Sequence, residues 1–238
     1  MGKILFVYIC SYCLGVHAEE WPEFPVPKNE RVIIVGNNMS VNGQTMKIME
    51  MTSQRNVTDI IEFYKTKWET PVKKGAPGYI ITEANPYLIV SRPEKKFLMT
   101  VQVKKNGRKG SYSLLAMSKI PNKNAVIILG KGFPKMNTTS VLSDIKSEDI
   151  NQKGRTLLLE NSFSVKSNVN FYRDYYLKRG WVDVTQGKVS SANMAVMIMN
   201  KNTDELNLTF NQTKNKNKNK TKNKTKNKTQ VVVVEVTK

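Results

Sequence analysis

The segment Ser143-Asp144-Ile145-Lys146 has the Ser-x-x-Lys spacing of serine acyl-enzymes, in which a lysine takes the proton of the serine hydroxyl. That chemistry needs the two side chains one helical turn apart. The segment instead belongs to a predicted strand, where residues three apart point to opposite faces. Neither a Ser-Asp-Asn nor a Lys-Thr-Gly partner motif occurs. The sequence therefore does not predict a catalytic serine.

Two other patterns could indicate catalysis or phosphate binding. Gly130-Lys131-Gly132 lacks the spacing and the hydroxyl of a phosphate-binding loop, so we interpret it as a flexible link. No convincing pair along the chain is found among seven carboxylates of the second half, which are Asp144, Glu148, Asp149, Asp174, Asp183, Asp204 and Glu205. A two-carboxylate glycosidase stays an alternative, because such pairs are assembled in space.

An aromatic cluster, Phe171, Tyr172, Tyr175, Tyr176 and Trp181, could stack on sugars or bases. Aromatic residues at helical spacing are more often part of a core, which is the interpretation that we favour here. Phe171 and Tyr175 flank the predicted buried stripe. They are the candidate surface aromatics.

A lysine occupies every even position from 214 to 228. These eight cations would attract a polyanion through counterion release, without reading a sequence. No aromatic residue is interleaved among them, so neither base stacking nor sequence-specific nucleic-acid binding is predicted. The alternative is a solvated loop without a selected role. The candidate polyanion-binding residues are Lys214, Lys216, Lys218, Lys220, Lys222, Lys224, Lys226 and Lys228.

The chain of 238 residues has 38 Lys and Arg against 19 Asp and Glu, a net charge of +19 and a pI near 9.8. Its 39% hydrophobic and 24% charged residues are typical of a globular protein. Two cysteines and one histidine are too few for a disulfide scaffold or a four-thiolate zinc site.

The first 18 residues have the layout of a secretory signal peptide. Lys3 precedes the apolar stretch Ile4–Leu14, and Val16-His17-Ala18 places small residues at a cleavage site. We therefore predict a periplasmic or secreted protein, cleaved after Ala18, with no transmembrane span in the mature chain. Cleavage would remove Cys10, Cys13 and His17. We thus predict no metal, no cofactor and no catalytic residue in the mature chain.

The mature chain contains what we interpret as an internal duplication. Five anchors recur in the same order along its two halves. They are Phe24-Pro25 and Phe133-Pro134, Val32–Val35 and Val141–Ile145, Gly43–Glu50 and Gly154–Glu160, Phe63-Tyr64-Lys65 and Phe171-Tyr172-Arg173, and Gly78-Tyr79-Ile80 and Gly180-Trp181-Val182.

The anchors predict an α+β fold of two tandem ββαβββ units, each a mostly antiparallel sheet with one helix packed on a face. Helical spacing follows Asn56, a predicted N-cap, and recurs from Val165 with Gly180 as a stop. The three strands predicted after each helix are Tyr87–Arg92, Lys96–Val103 and Ser111–Met117, and Met194–Met199, Glu205–Phe210 and Gln230–Val236.

The resulting domain prediction is a signal peptide at 1–18, a first repeat at 19–118, a linker at 119–132 and a second repeat at 133–238. The lysine-rich residues 214–229 fall where the first repeat has the turn-forming segment Lys104–Gly110. We therefore interpret them as an expanded hairpin loop, which costs only about 1 kcal/mol in loop-closure entropy.

The succession FP…VLSDI…GRTLLLEN…FYRDYYLKRGW, from Phe133 to Trp181, resembles a family of exported proteobacterial proteins of unknown function. The resemblance implies export. It implies no activity, cofactor or site residue, because the shared positions are mainly core and turn residues.

These observations favour an exported, non-enzymatic interaction or accessory protein of the bacterial cell envelope, with a protein partner. The first alternative is an electrostatic binder of anionic envelope polymers or lipid head groups, such as lipopolysaccharide, acidic glycans or extracellular DNA, through Lys214–Lys228. The second alternative is a hydrolase that uses carboxylates or a Ser/Lys pair.

Overall fold

A computed structural model describes residues 21–75, 77–121, 126–185, 191–214 and 227–238. The predicted signal peptide lies outside these residues, as do the lysines at the centre of the Lys/Asn run. In chain order the elements are β1 (Val32–Val41), β2 (Gln44–Ser53), α1 (Val57–Lys67), β3 (Ile80–Ala84), β4 (Tyr87–Glu94), β5 (Phe97–Asn106), β6 (Gly110–Lys119), β7 (Ser140–Asp149), β8 (Gln152–Asn161), α2 (Val165–Leu177), β9 (Val182–Asp183), β10 (Met194–Lys201), β11 (Asp204–Lys214) and β12 (Asn227–Thr237).

The strands of the described ranges form one antiparallel sheet, in the order β3-β4-β5-β6-β2-β1-β7-β8-β12-β11-β10-β9. The predicted α+β class, with a mostly antiparallel sheet, is confirmed. The prediction of a separate sheet in each unit is wrong, because β1 pairs with β7 and makes the sheet continuous. Each helix is followed by four strands rather than three. The additional strands, β3 and β9, are short and largely exposed, so no buried alternation marks them in the sequence.

Both helices begin at a side chain that accepts a hydrogen bond from a free backbone N–H. Asn56 Oδ1 accepts from the Asp59 N–H at 2.9 Å, which confirms the predicted cap of α1. In α2 the Ser164 Oγ accepts from the Ser167 N–H at 3.0 Å. Apolar residues at helical spacing then form the buried face of each helix.

The two helices pack on the same face of the sheet. Ser40 of β1 lies opposite both Thr45 of β2 and Lys146 of β7. Residues that lie opposite each other point to the same face, so one face continues from the first half of the sheet into the second. Helix α1 covers β4–β6, and α2 covers β9–β11. Each helix thus closes its own hydrophobic core, and the central strands β1 and β7 lie between the two helices.

The two halves have the same order of elements: two strands, a helix and four strands. Their N-caps, Asn56 and Ser164, are 108 positions apart. The anchors Gly43 and Gly154 are 111 positions apart: Gly43 lies in the β1–β2 turn with φ of 79°, whereas Gly154 lies within β8. That anchor of the predicted duplication is therefore three residues out of register.

Tyr64 of α1 and Tyr172 of α2 occupy matching core positions but differ at the hydroxyl. Each ring contacts a phenylalanine that precedes the first strand of the same half: Tyr64 contacts Phe24, before β1, and Tyr172 contacts Phe133, before β7. The Tyr64 hydroxyl donates to the Pro25 carbonyl at 2.9 Å, whereas the buried Tyr172 hydroxyl has no hydrogen-bond partner among the described residues.

The two tyrosines therefore make a matched test of one hydrogen bond. We expect Tyr64→Phe to lower the free energy of unfolding by about 1 kcal/mol, because it leaves a carbonyl unpaired. Tyr172→Phe removes an unpaired buried hydroxyl and is expected to cause no loss, or a gain of about 1 kcal/mol. Urea denaturation of both variants measures the difference, and equal losses would contradict this account.

Candidate interaction surfaces

The two halves of the sheet meet at a short seam. Met39–Val41 of β1 pairs with Ile145–Ser147 of β7, and the Asn42 N–H donates to the Asp144 carbonyl at 2.8 Å. The register of β1 shifts twice before this seam, between Ile34 and Met39. Such bulges bend a strand and increase its twist. No residue of Val32–Asn38 pairs with β7, so one side of this segment is an open edge among the described residues.

A buried ion pair lies beside the seam, on the helix face. Asp144 accepts two hydrogen bonds from the Arg155 guanidinium, at 2.8 and 3.0 Å, and a third from the Gly130 N–H at 2.8 Å. Burial tends to raise the pKa of Asp144, but these hydrogen bonds and the positive charge of Arg155 outweigh it and hold the pKa below its usual range. Gly130 lies in the predicted link. Its N–H is bound to Asp144 and is therefore not free to bind a phosphate.

The Ser-x-x-Lys segment does not form a catalytic pair. Ser143 lies opposite Leu158 in β8, and Lys146 lies opposite Arg155. Because Leu158 and Arg155 are three residues apart in one strand, the two side chains point to opposite faces of the sheet. The strand geometry expected from the sequence is thus observed, and it provides no support for a Ser/Lys hydrolase.

A cavity of about 350 Å³ on the helix face includes two carboxylates, Glu148 and Glu235, in its wall. Strand spacing and register separate their Cβ atoms by about 12 Å. Lys153 and Arg155 lie between them, and Lys153 pairs with Glu148 at 2.9 Å. Burial raises the pKa of Glu235. The nearest charges to each carboxylate are cations, so the cavity does not present the facing carboxyl pair of a glycosidase.

The Lys/Asn run connects two strands that pair along their whole length. The ladder between β11 and β12 extends to the pair Lys214 and Asn227. Residues 227–229 therefore belong to β12, although the sequence placed them in the loop. Lys228 forms an ion pair with Glu160 of β8, so its charge is partly neutralised. The other predicted polyanion-binding lysines, apart from Lys214 in β11, lie outside the described residues.

The candidate surface aromatics Phe171 and Tyr175 are half-buried at the edge of the second core. Their rings stack with centroids 6.5 Å apart. The Arg179 guanidinium lies over the Tyr175 ring, 3.6 Å from its centroid. Tyr175 is thus covered by two neighbours, and this arrangement leaves little of its ring available for a sugar or a base.

The described sheet ends in two different edges. Edge strand β3 has five residues, all exposed, and Ile80 is 57% exposed. On the other side, β9 has two residues. An exposed edge presents unpaired N–H and C=O groups that can pair with another chain. Neither β3 nor the open edge of β1 was predicted; the Gly36-Asn37-Asn38 stretch is the sequence signal that could have indicated the bulges.

The described residues contain no cluster of three or more His, Cys, Asp or Glu side chains that could hold a metal ion. Their helices are all too short or too polar to cross a bilayer. What the fold defines is an α+β protein with one continuous, open-edged sheet. No protein-family model, curated protein or solved structure matches the chain.

Proposed function

We propose that this chain is an exported, non-enzymatic interaction protein of the bacterial cell envelope, which binds a partner polypeptide by strand addition. The observation that carries the proposal is strand β3, an exposed five-residue edge with Ile80 and Ile81. Native sheets commonly protect such an edge with lysine, proline or a covering segment. The side chains of β3 include one charge, that of Glu83, and the strand is available for pairing.

The proposed tandem architecture supports an interaction role. The shared element order, the N-caps 108 positions apart and the matching Tyr64 and Tyr172 favour two copies of one unit joined by the linker. A duplicated unit would offer similar surfaces twice, and the described residues of the two units bring no catalytic pair together. Export follows from the signal-like first 18 residues, and a periplasmic or secreted location goes with it.

Substitution of lysine at the edge of β3 tests this proposal. We expect Ile80→Lys to abolish capture of a partner from an envelope extract, because a charged edge side chain opposes strand addition. Val182→Lys, at a site of similar exposure (63%) on the two-residue strand β9, is the matched control and should retain the partner. Retention of the partner by Ile80→Lys, or recovery of none by the wild-type protein, would contradict strand addition at β3.

Polyanion binding through the Lys/Asn run is a second candidate function. The observation that favours it is the β11–β12 ladder, whose last pair, Lys214 and Asn227, places the two ends of the run opposite each other. Anionic envelope polymers such as lipopolysaccharide, acidic glycans or released DNA are the ligands that eight closely spaced lysines would attract. A steep dependence of binding on salt concentration is its signature.

A further inference from the structure

The seam between the two halves leaves a slot within the sheet. One wall is the open edge of β1 from Val32 to Asn38, and the slot ends at the β7–β8 turn, beside Glu148 and Asp149. A cavity of about 320 Å³ lies between this edge of β1 and the hairpin of β7 and β8. We call this feature the seam notch. Its β1 wall carries three consecutive exposed apolar side chains, Ile33, Ile34 and Val35.

We propose that the seam notch binds the N-terminal extended segment of a partner polypeptide, which adds to β1 as an antiparallel strand. This inference rests on the proposed function of strand addition but concerns a different edge from β3. A polypeptide is the occupant that matches the wall, because an extended strand offers N–H and C=O groups to the open edge, which is regular at Val32–Ile34 and bulged between Ile34 and Met39.

The closed end of the notch determines the direction of the bound strand. The β7–β8 turn blocks that end, so an added strand must begin or stop there. A strand antiparallel to β1 begins at the turn and places its ammonium group near Glu148 and Asp149. A parallel strand would instead end there and place its carboxylate near the same two acids. Glu148 and Asp149 line the cavity of the notch, and among the described residues no lysine or arginine does. Lys146 and Lys153 line the neighbouring cavity, and Lys153 pairs with Glu148. Asp149 therefore leaves a negative charge at the closed end that favours the ammonium group.

The side chains of β1 determine which residues the partner strand needs. Ile33 lies opposite Glu50 and Ile34 opposite Met49, so these neighbours point to opposite faces of the sheet. Apolar side chains are thus exposed on both faces of the open edge. Five residues of an added strand would span about 17 Å of this edge. The partner segment is therefore expected to be about five residues long and rich in β-branched residues.

A short synthetic peptide provides the test on the full-length protein. The probe is the hexapeptide Ile-Thr-Val-Thr-Val-Lys with a fluorophore on the lysine side chain, prepared with a free and with an acetylated N-terminus. Fluorescence anisotropy is expected to show saturable binding that acetylation weakens by about threefold or more. Ile34→Lys should weaken binding by about tenfold or more, because it places a charge on the open edge.

Val182→Lys, which adds the same charge at a site of 63% exposure on β9, is the control for the seam notch, and it should leave peptide affinity unchanged. The thermal unfolding of Ile34→Lys verifies that the variant folds, as its 63% exposure leads us to expect. Absence of saturable binding, or binding unaffected by acetylation or by Ile34→Lys, overturns the proposal. Amides of Val32–Asn38 that bond to β2 are protected in any case. Strong protection from hydrogen exchange of the amides in this segment that point away from β2 also overturns the proposal, because another part of the chain or a second copy would then fill the notch. If the peptide does not bind at the seam notch but Ile80→Lys still abolishes capture of the partner, the proposal of strand addition at β3 is retained.

Discussion

Replacement of six lysines of the Lys/Asn run by asparagine is expected to flatten the salt dependence of DNA binding. The substituted residues are Lys216, Lys218, Lys220, Lys222, Lys224 and Lys226. If each contacts one phosphate, the log–log slope of affinity against salt concentration falls by about 5, and affinity at 50 mM salt falls by about a thousandfold or more. The length of the run is unchanged, so the effect reports charge. Filter binding to double-stranded DNA across a salt series measures both quantities.

A variant with the same loss of charge elsewhere separates the run from the general positive charge of the chain. In this variant glutamine replaces six of the exposed lysines outside the run: Lys28, Lys73, Lys74, Lys95, Lys166 and Lys178. These residues are dispersed, so we expect a change in slope of about 1 or less. Equal losses in the two variants would show that net charge, rather than the run, determines binding.

Asp144→Asn is expected to lower the free energy of unfolding by about 3–5 kcal/mol, because it leaves the Arg155 guanidinium without its charged partner. Asp144 is 5% exposed and accepts three hydrogen bonds, so solvent compensates little of the loss. Glu148→Gln, which breaks an exposed ion pair with Lys153 on the same two strands, should change stability by about 0.5 kcal/mol or less. Chemical denaturation at neutral pH compares the two variants.

The pH dependence of the same variants identifies the charge as the cause. The pKa of Asp144 is lowered in the folded state, so its contribution is complete above the unfolded pKa of about 4 and is lost as the pH falls through the folded pKa. The stability difference between wild type and Asp144→Asn should therefore shrink below about pH 4. A difference that stays constant into acid would instead indicate a packing defect.

Local patterns in the sequence were sufficient to predict the helices. Asn56 and the apolar residues after it are encoded within one or two turns, and the cap lies where it was predicted. The six strands predicted by range after the helices are observed as β4–β6 and β10–β12, because alternation marks strands with one buried face. The class of the fold follows from these elements alone.

The arrangement of the strands depends on information that a local pattern does not contain. The continuous sheet results from a ladder at Met39–Val41, too short to leave its own sequence signal. The register of the Gly43 and Gly154 anchor was wrong because both segments contain a Gly-x-Thr pattern, which begins in the β1–β2 turn in the first half and inside β8 in the second. The sequence placed Asp144 in a Ser-x-x-Lys motif and among the unpaired carboxylates, but not in a buried cluster, because its partners, Arg155 and Gly130, lie 11 and 14 residues away.

The seam also has a consequence for the order in which the chain folds. Ten of the eleven neighbouring strand pairs join strands within one half, and the β1–β7 pair joins the two halves. Each half can therefore form its ladders and its core through contacts within that half, before the longer loop that unites the two halves has closed. The seam is then the last part of the described sheet to form and the first to open, at a lower free energy than the unfolding of either half.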